Sequence, residues 1–580
     1  MMQFFMPAGP RRFQLLDAAV LFLLFVFFYS ILKLGAGMVV PFSAATQPVV
    51  DLAPSALPYY AGRSLLRMFL AFGASLLFTV VYAYLAARNS VARAILIPLL
   101  DILQSIPVLG FLSATILAFM ALFPGNLFGV ECASILAIFT GQAWNMTFSL
   151  YHSLMTIPRD LQEAADMLHL NWWQRLRHLE LPAAAIGLIW NGMMSFGGGW
   201  FFLAASEAIT VLNVDVHLPG VGSYLAAAVD AGDMTAVLYA MGTMLLMIVL
   251  VDQFFWKPLT VWGQRFKLEN SADPNPPESF VFNMMQRSQL LAWGEEHILT
   301  PAGRCLDGCM DRLARRTEKA AASLRQSCRG PAWYWSSYGL LALMAFYLLY
   351  QPAQEALQML YTMGSSEILQ VLLLGLYTFL RVLAALLLAL LWTLPVGVWI
   401  GLRPRLSSRL QPLIQIMASF PANMIFPFFT VLFVRWQVDI EYGSVLFMLL
   451  GTQWYILFNV IAGASGIPND MQEAGKIFKI EGWTRWKRII LPAVFPQLVN
   501  GLMTAAGGAW NASIVSELVS WRDTDLAASG LGAYISQATA SGDWPRIVVG
   551  ILVMCIFVTG INRLVWGPLC RLAETKYHLE

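Results

Sequence analysis

"DLQEAADMLHLNWWQRLRHLELPA" (residues 160–183) and "DMQEAGKIFKIEGWTRWKRIILPA" (residues 470–493) read as two copies of one polar segment in an apolar chain. A shift of 310 turns Ile157, Pro158, Asp160, Gln162, Glu163 and Ala164 into Ile467, Pro468, Asp470, Gln472, Glu473 and Ala474. The register holds downstream: Gly197, Gly198 and Trp200 meet Gly507, Gly508 and Trp510, Ser206–Glu207 meet Ser516–Glu517, and Gly220, Gly222 and Tyr224 meet Gly530, Gly532 and Tyr534. Before residue 124 the shift becomes 314, so Arg67 pairs with Arg381, Pro98 with Pro412 and Pro107 with Pro421. The chain is a tandem repeat, with a four-residue length difference in the loop near 120–135.

What surrounds the two segments fixes the class. The 580 residues are 58% hydrophobic and 12% charged, with mean hydropathy +0.63. Soluble chains carry roughly 25% charged residues, so this is an integral membrane protein. A formal net charge of +2 gives no field suited to nucleic acid. The six cysteines are scattered and form no zinc-ligand pattern. The run "LLDAAVLFLLFVFFYSIL" after Arg11 and Arg12 reads as a retained helix, because the second half also opens with a single span.

A helix needs roughly 20 apolar residues to cross a bilayer. That measure places spans near 15–40, 64–87, 93–123, 132–156, 185–211 and 236–258. The second set falls near 334–352, 368–401, 409–434, 443–463, 493–518 and 545–568. The fold class is therefore all-α and membrane-embedded, with about 12 transmembrane helices as two parallel six-helix repeats. Arg88 and Arg93, Arg403, Arg405 and Arg409, and both quoted segments are basic, whereas loops 124–131, 212–235 and 353–365 carry no Lys or Arg. This asymmetry puts both quoted segments and both termini in the cytoplasm. An even number of spans per half gives the halves one orientation and a symmetry axis along the membrane normal. Between them, 261–333 reads as a cytoplasmic linker, Pro-rich at first and then helical and basic. It either lies on the inner leaflet or regulates.

Asp160 with Glu163, and Asp470 with Glu473, resemble capping boxes. Leu161, Ala164, Ala165 and Leu168 then fall on one stripe, with Met471, Ala474, Gly475 and Phe478 as their counterparts. Such a helix either enters a groove on another protein or rests on the leaflet.

The "EAA" at 163–165 and "EAG" at 473–475, each followed by "LPA", resemble the EAA loop of permeases in binding-protein-dependent ABC importers. The flanks "SLLRMFLAFGASLLF" (64–78), "LQSIPVLGFL" (103–112), "AGGAWNASIVSE" (506–517) and "SGLGAYI" (529–535) look most like the nitrate, sulfonate, taurine and bicarbonate branch. The resemblance implies a type I ABC importer transmembrane domain with two fused permease units, 1–260 and 334–580, whose EAA loops are 157–183 and 467–493. It implies coupling of Asp160, Glu163, Ala164, Ala165 and Leu168, and of Asp470, Glu473, Ala474, Gly475 and Phe478, to two ATPase subunits. Those subunits would hold ATP and Mg. A periplasmic solute-binding protein is a further expected partner, the location is the bacterial inner membrane, and the solute class is a small oxyanion or sulfonate. The family's Gly falls at His169 and Lys479, which must then find another turn or adopt a left-handed backbone. No G-x-x-x-x-G-K-[ST] loop and no catalytic motif occurs, so the chain is expected to be no enzyme and to hold no cofactor.

Charges within spans need partners. Arg67 and Glu207, and Arg381 and Glu517, sit at similar depth near the outer ends, either paired or snorkelling separately. Trp144, Trp454, Asn145, Asn191, Asn500 and Asn511 are further candidates for the passage. Glycines 197–199 and 507–508 serve either helix packing or the pore. Two rivals keep the same span pattern: a 12-helix secondary transporter, and a non-transporting scaffold that binds an ATPase.

Overall fold

Ser105-Ile106-Pro107 and Ser419-Phe420-Pro421 each break what reads as one apolar span. Proline lacks a backbone N–H and drives the residue before it out of the helical region. Accordingly Ile106 (φ −80°, ψ 123°) and Phe420 (φ −71°, ψ 123°) are extended. The expected spans 93–123 and 409–434 are thus each a broken pair.

The computed structural model describes residues 15–41, 50–211, 214–266, 279–327, 331–522 and 524–577. The first half runs α1 Leu15–Ala36, α2 Leu57–Arg88, α3 Ser90–Ser105, α4 Val108–Leu122, α5 Phe128–Met155, α6 Arg159–Met167, α7 Trp172–Arg175 and α8 Leu181–Glu207. A hairpin of β1 Ala208–Val211 and β2 Val214–His217 follows, then α9 Val221–Ala231, α10 Met234–Val251 and α11 Lys257–Gly263. The linker forms α12 Phe280–Arg287, α13 Gln289–Gly294 and α14 Thr300–Ser327. Most of its Pro-rich segment lies outside the described residues.

The second half repeats the order. It comprises α15 Pro331–Gly401, α16 Pro404–Ser419, α17 Phe426–Trp436, α18 Ile440–Ser465, α19 Asn469–Ile477, α20 Gly482–Arg485 and α21 Leu491–Ser516. The hairpin β3 Leu518–Trp521 and β4 Thr524–Ala527 leads to α22 Leu531–Ser541, α23 Trp544–Ile561 and α24 Gly567–Lys576. The expected loop 353–365 is largely helical, and the break in α15 comes at Gly364, whose φ of 75° a glycine adopts readily. Spans expected to run to 211 and 518 end at Glu207 and Ser516 instead, where the chain turns into the hairpins. The Ala208–Val211 end, with Ile209, Thr210 and Val211, reads as membrane helix but is a paired strand here, a case of β-branched residues following their surroundings.

Among the described residues six helical stretches are long and apolar enough to cross a membrane: Pro54–Arg88, Met234–Phe266, Met363–Gly401, Ile440–Ser465, Gly482–Ser516 and Trp544–Ala573. Leu77, Leu391 and Ile556 on these stretches are exposed, as lipid-facing side chains must be in a chain that satisfies its backbone within helices.

A local rule recurs. The π-helical segments Leu176–Glu180, Asp252–Trp256, Glu295–Leu299, Trp486–Ile490 and Asn562–Trp566 each end two residues before a proline. The proline ring clashes with the carbonyl four residues back, and opening one turn to an i→i+5 bond relieves the clash without ending the helix. The two "LPA" motifs therefore mark widened turns at the start of α8 and α21.

The halves interlock through their broken helices. Val108, Leu109, Leu112 and Ile116 of α4 join a core made largely of second-half residues, while Met424 joins the first-half core. Gly110 lies under Ile514 and Ile551, and Gly197 lies against Ser419.

Candidate functional site: two loop helices, two charge clusters and the seam between the halves

α6 and α19 are the polar helices of the quoted segments. Pro158 and Pro468 stand at their N-caps and no side chain caps either, so the expected capping boxes are absent. Gln162 and Gln472 instead donate back to the carbonyls of Ile157 (2.9 Å) and Ile467 (3.2 Å). The one capping box in these loops is Asn171 with Gln174, in the first copy.

Both helices end identically. The His169 N–H donates to Asp166 O (3.0 Å) and the Leu170 N–H to Ala165 O (3.2 Å); Lys479 N–H donates to Lys476 O (3.1 Å) and Ile480 N–H to Gly475 O (2.8 Å). This is the Schellman pattern, which places a left-handed residue just past the helix. His169 has φ 50° and Lys479 φ 52°. The non-glycine residues adopt the glycine backbone.

The stripe read from the sequence divides between two faces. Ala165 and Gly475 are buried against the chain's own loop, and a Cβ on Gly475 would press on Ile489. Asp160, Glu163, Ala164, Asp470 and Glu473 are exposed. The helix ends present bare apolar side chains: Met167 is 82% exposed, Leu168 72%, Ile477 76% and Phe478 76%. Side chains of this size exposed on one tip in both copies form an apolar patch.

At the opposite end of each half the charges gather. Arg67 donates to Glu207 (Nη1–Oε1, 2.6 Å) and to Glu131 (Nη2–Oε1, 2.8 Å), and Arg63 pairs with Glu131. All four are fully buried. In the second half Arg381 donates to Glu517 (2.9 Å) and pairs with Glu441. Each inner carboxylate also receives the first turn of a short helix, Gly222 N–H on Glu207 and Gly532 N–H on Glu517, both at 2.7 Å. A Cβ on Gly220 or Gly530 would overlap those carboxylates, which explains the repeated glycines. Tyr377 replaces Arg63 in the second cluster, leaving two carboxylates to one arginine. The extra one, Glu441, keeps 35% of its side chain in solvent. Sequence reading missed Arg63, Glu131 and Glu441, although an acid in the first turn of a long apolar helix was a readable signal.

The seam between the halves holds Asn511. Its Oδ1 accepts the Val108 N–H (2.9 Å) freed by the Pro107 break, and Asn423 donates to Phe201 O (3.4 Å) in the mirrored place. Asp252, a lone acid in "MIVLVDQFFW" that the sequence reading passed over, accepts from Gln415 of the other half (3.2 Å). The crevice beside it, lined by Phe196, Gly197, Trp200, Trp256 and Ser419, offers about 10 Å³. That is at the lower limit for one water. The seam is closed.

The remaining candidates lie elsewhere. Trp144 packs edge-on against Phe78 and Trp454 against Trp392, the same pair in both halves. Asn191 donates to Ser149 (2.8 Å) within its own half, while Asn145 and Asn500 are exposed.

The linker engages one loop. Trp173 donates to Asp307 (3.2 Å), Asn171 to Asp311 (3.0 Å) and the Trp172 N–H to Glu318 (3.0 Å), and Arg177 pairs with Asp307. Trp483, the counterpart of Trp173, is 74% exposed.

The family model described as binding-protein-dependent transport system inner membrane component matches residues 75–255 and again 393–565. The chain belongs to this family of ABC transporter permeases, with two units fused in one multi-pass polypeptide. It is similar to a putative ABC transporter permease of Methanocaldococcus jannaschii, 25% identical over 34% of this chain and 68% of the relative. It is also similar to a nitrate import permease of Leptolyngbya laminosa (23% identical, 32% of this chain, 63% of the relative) and a putative aliphatic sulfonates transport permease of Bacillus subtilis (24%, 28% and 55%). The chain thus spans between 55% and 68% of the length of these relatives.

Proposed function

We propose that this chain supplies both permease units of an ATP-driven importer and is itself no enzyme. α6 and α19 each dock on one of two separate ATPase subunits, which bind ATP and Mg. The observation that carries this reading is the repeated pair of bare apolar tips, Met167–Leu168 and Ile477–Phe478, each held on a Schellman-terminated helix at the same point of a family-matched unit. A helix tip entering a cleft transmits motion only if its base is fixed, and Ala165 and Gly475 supply the fixed base.

The solute is a small oxyanion or sulfonate by analogy with the names of the relatives, delivered by a solute-binding protein on the outer side. The closed seam at Asp252 and Asn511 is where the halves part during transport. In this reading the Arg/Lys-rich end, with both termini, faces the cytoplasm of a bacterial inner membrane.

The test is mild-detergent purification of the tagged chain with mass spectrometry of copurifying proteins, for wild type and Glu163→Ala/Glu473→Ala. An ABC ATPase retained by the wild type and lost from the variant supports the reading. A stable, monodisperse wild type with no ATPase refutes it.

A further inference from the structure

Where duplicated halves differ, the difference points to work done by one copy alone. One such difference lies under the first loop helix. A cavity of about 240 Å³ opens there between the end of α2 and the 157–180 loop, lined by Arg88, Arg93, Gln162, Arg175 and Glu180 among others. In the second repeat the positions of Arg88, Arg93 and Glu180 hold Leu402, Ser407 and Ile490, while Gln472 and Arg485 remain. The second copy lacks three of the charged groups that line this chamber.

The charges in the chamber are incompletely matched. Arg88 pairs with Glu180, and Arg175 donates to Asp166 (2.5 Å) and approaches Glu180 at 3.5 Å. Arg93 donates only to the carbonyls of Ala86 and Ala87 and to Met155 Sδ, and meets no carboxylate among the described residues. Three guanidinium groups therefore face one lining carboxylate. Glu180 is 4% exposed, and among the described residues its Oε2 has no hydrogen-bond partner, and neither has Arg175 Nε. Buried polar atoms are rarely left unpaired, and each one costs free energy unless something fills the space.

We propose that this chamber binds a tetrahedral oxyanion of the phosphate, sulfate or sulfonate class, held by Arg88, Arg93 and Arg175. Guanidinium groups match such anions with paired N–H donors. Glu180 Oε2 accepts from the protonated oxygen of hydrogen phosphate or an ammonium group on a sulfonate's tail, and for sulfate, which carries neither, from an attendant water. The volume suits an anion of this size with attendant water or a short organic tail. The ligand ties the end of α2 to the loop carrying α6, so occupancy stiffens the first loop and leaves the second untouched. A free anion and the phosphate of an acidic lipid share this chemistry.

The site is tested on the purified full chain, without reference to transport or ATPase. In phosphatidylcholine nanodiscs, sodium sulfate and sodium phosphate are titrated against sodium chloride at matched ionic strength, reading thermal midpoint and hydrogen exchange of the 155–180 and 465–490 peptides. Wild type should show a saturable rise in midpoint with slowed exchange in 155–180 only. Arg88→Leu/Arg93→Ser/Glu180→Ile, which copies the second repeat, should lose both effects, and Arg93→Gln should weaken sulfate binding at least tenfold. Slowed exchange in phosphatidylglycerol nanodiscs without added anion, again lost in the triple variant, assigns the site to a lipid phosphate. The proposal is overturned if neither anion nor phosphatidylglycerol protects 155–180, or if the variants respond as wild type does.

Discussion

His169 and Lys479 stand at the same point of the two repeats with left-handed backbones, φ 50° and 52°. A side chain in that region costs about 1–2 kcal/mol, part of which a glycine recovers. His169→Gly and Lys479→Gly should each raise stability by about 1 kcal/mol, whereas His169→Ala should not, because alanine keeps the clashing Cβ. Thermal unfolding in detergent measures this. Equal midpoints for the Gly and Ala variants would mean that the strain is absent.

The first charge cluster makes a sharper prediction. Arg67→Leu leaves Glu207 buried with no arginine, and breaking such a pair costs about 3–5 kcal/mol. Arg67→Leu/Glu207→Leu leaves Arg63–Glu131 as a balanced pair and should regain much of that loss. Arg381→Leu should cost at least as much as Arg67→Leu, since it strips buried Glu517 of its arginine and leaves Glu441 without one as well, whereas Arg63 still pairs with Glu131 in the first half. Monodisperse yield and thermal midpoint report the order, and a double variant as unstable as the single one would refute the account.

How legible was this in the sequence? The repeat, the polar loop helices and the Arg–Glu depth match come from residue identity and spacing, so they were readable. Hydropathy sees composition but not backbone breaks: the length of 93–123 allowed for a break or a tilt, whereas 409–434 looked continuous although Pro421 was in plain view. The hairpin at 208–217 was hidden because Val and Ile suit a strand and a lipid-facing helix equally, and that at 518–527, with one Val and no Ile, carries too little β-branched character to mark a strand. Ala165 and Ala164 lie on one stripe by periodicity, yet the Schellman turn and the loop folding back at Ile157 bury one and expose the other. The chamber at Arg88 was invisible, because its residues are 92 positions apart at the extremes and only the fold brings them together.

Asn511 gives a test of how the halves are latched. Asn511→Leu leaves the Val108 N–H, opened by Pro107, without its acceptor, and an unpaired buried donor costs about 1–3 kcal/mol. Asn423→Leu removes only a long 3.4 Å donation and should cost less. The comparison is read by thermal unfolding of the two variants side by side. If Asn423→Leu proves the more damaging, the latch is not built around the freed Val108 N–H.

The exposed tips separate coupling from folding. Leu168 and Phe478 touch little of the chain, so Leu168→Ser and Phe478→Ser should change stability by no more than about 0.5 kcal/mol, as expected for surface substitutions. They should nonetheless abolish retention of the ATPase and the solute uptake proposed above. Ala165→Leu should behave in the opposite way, because overfilling the packed base of α6 costs about 1–3 kcal/mol and displaces the helix as a whole. Thermal midpoint and ATPase copurification, measured on the same preparations, place each variant on one axis or the other. If the serine variants unfold early, the tips are part of the core after all and the docking surface must be sought on Glu163, Glu473 and the exposed polar face.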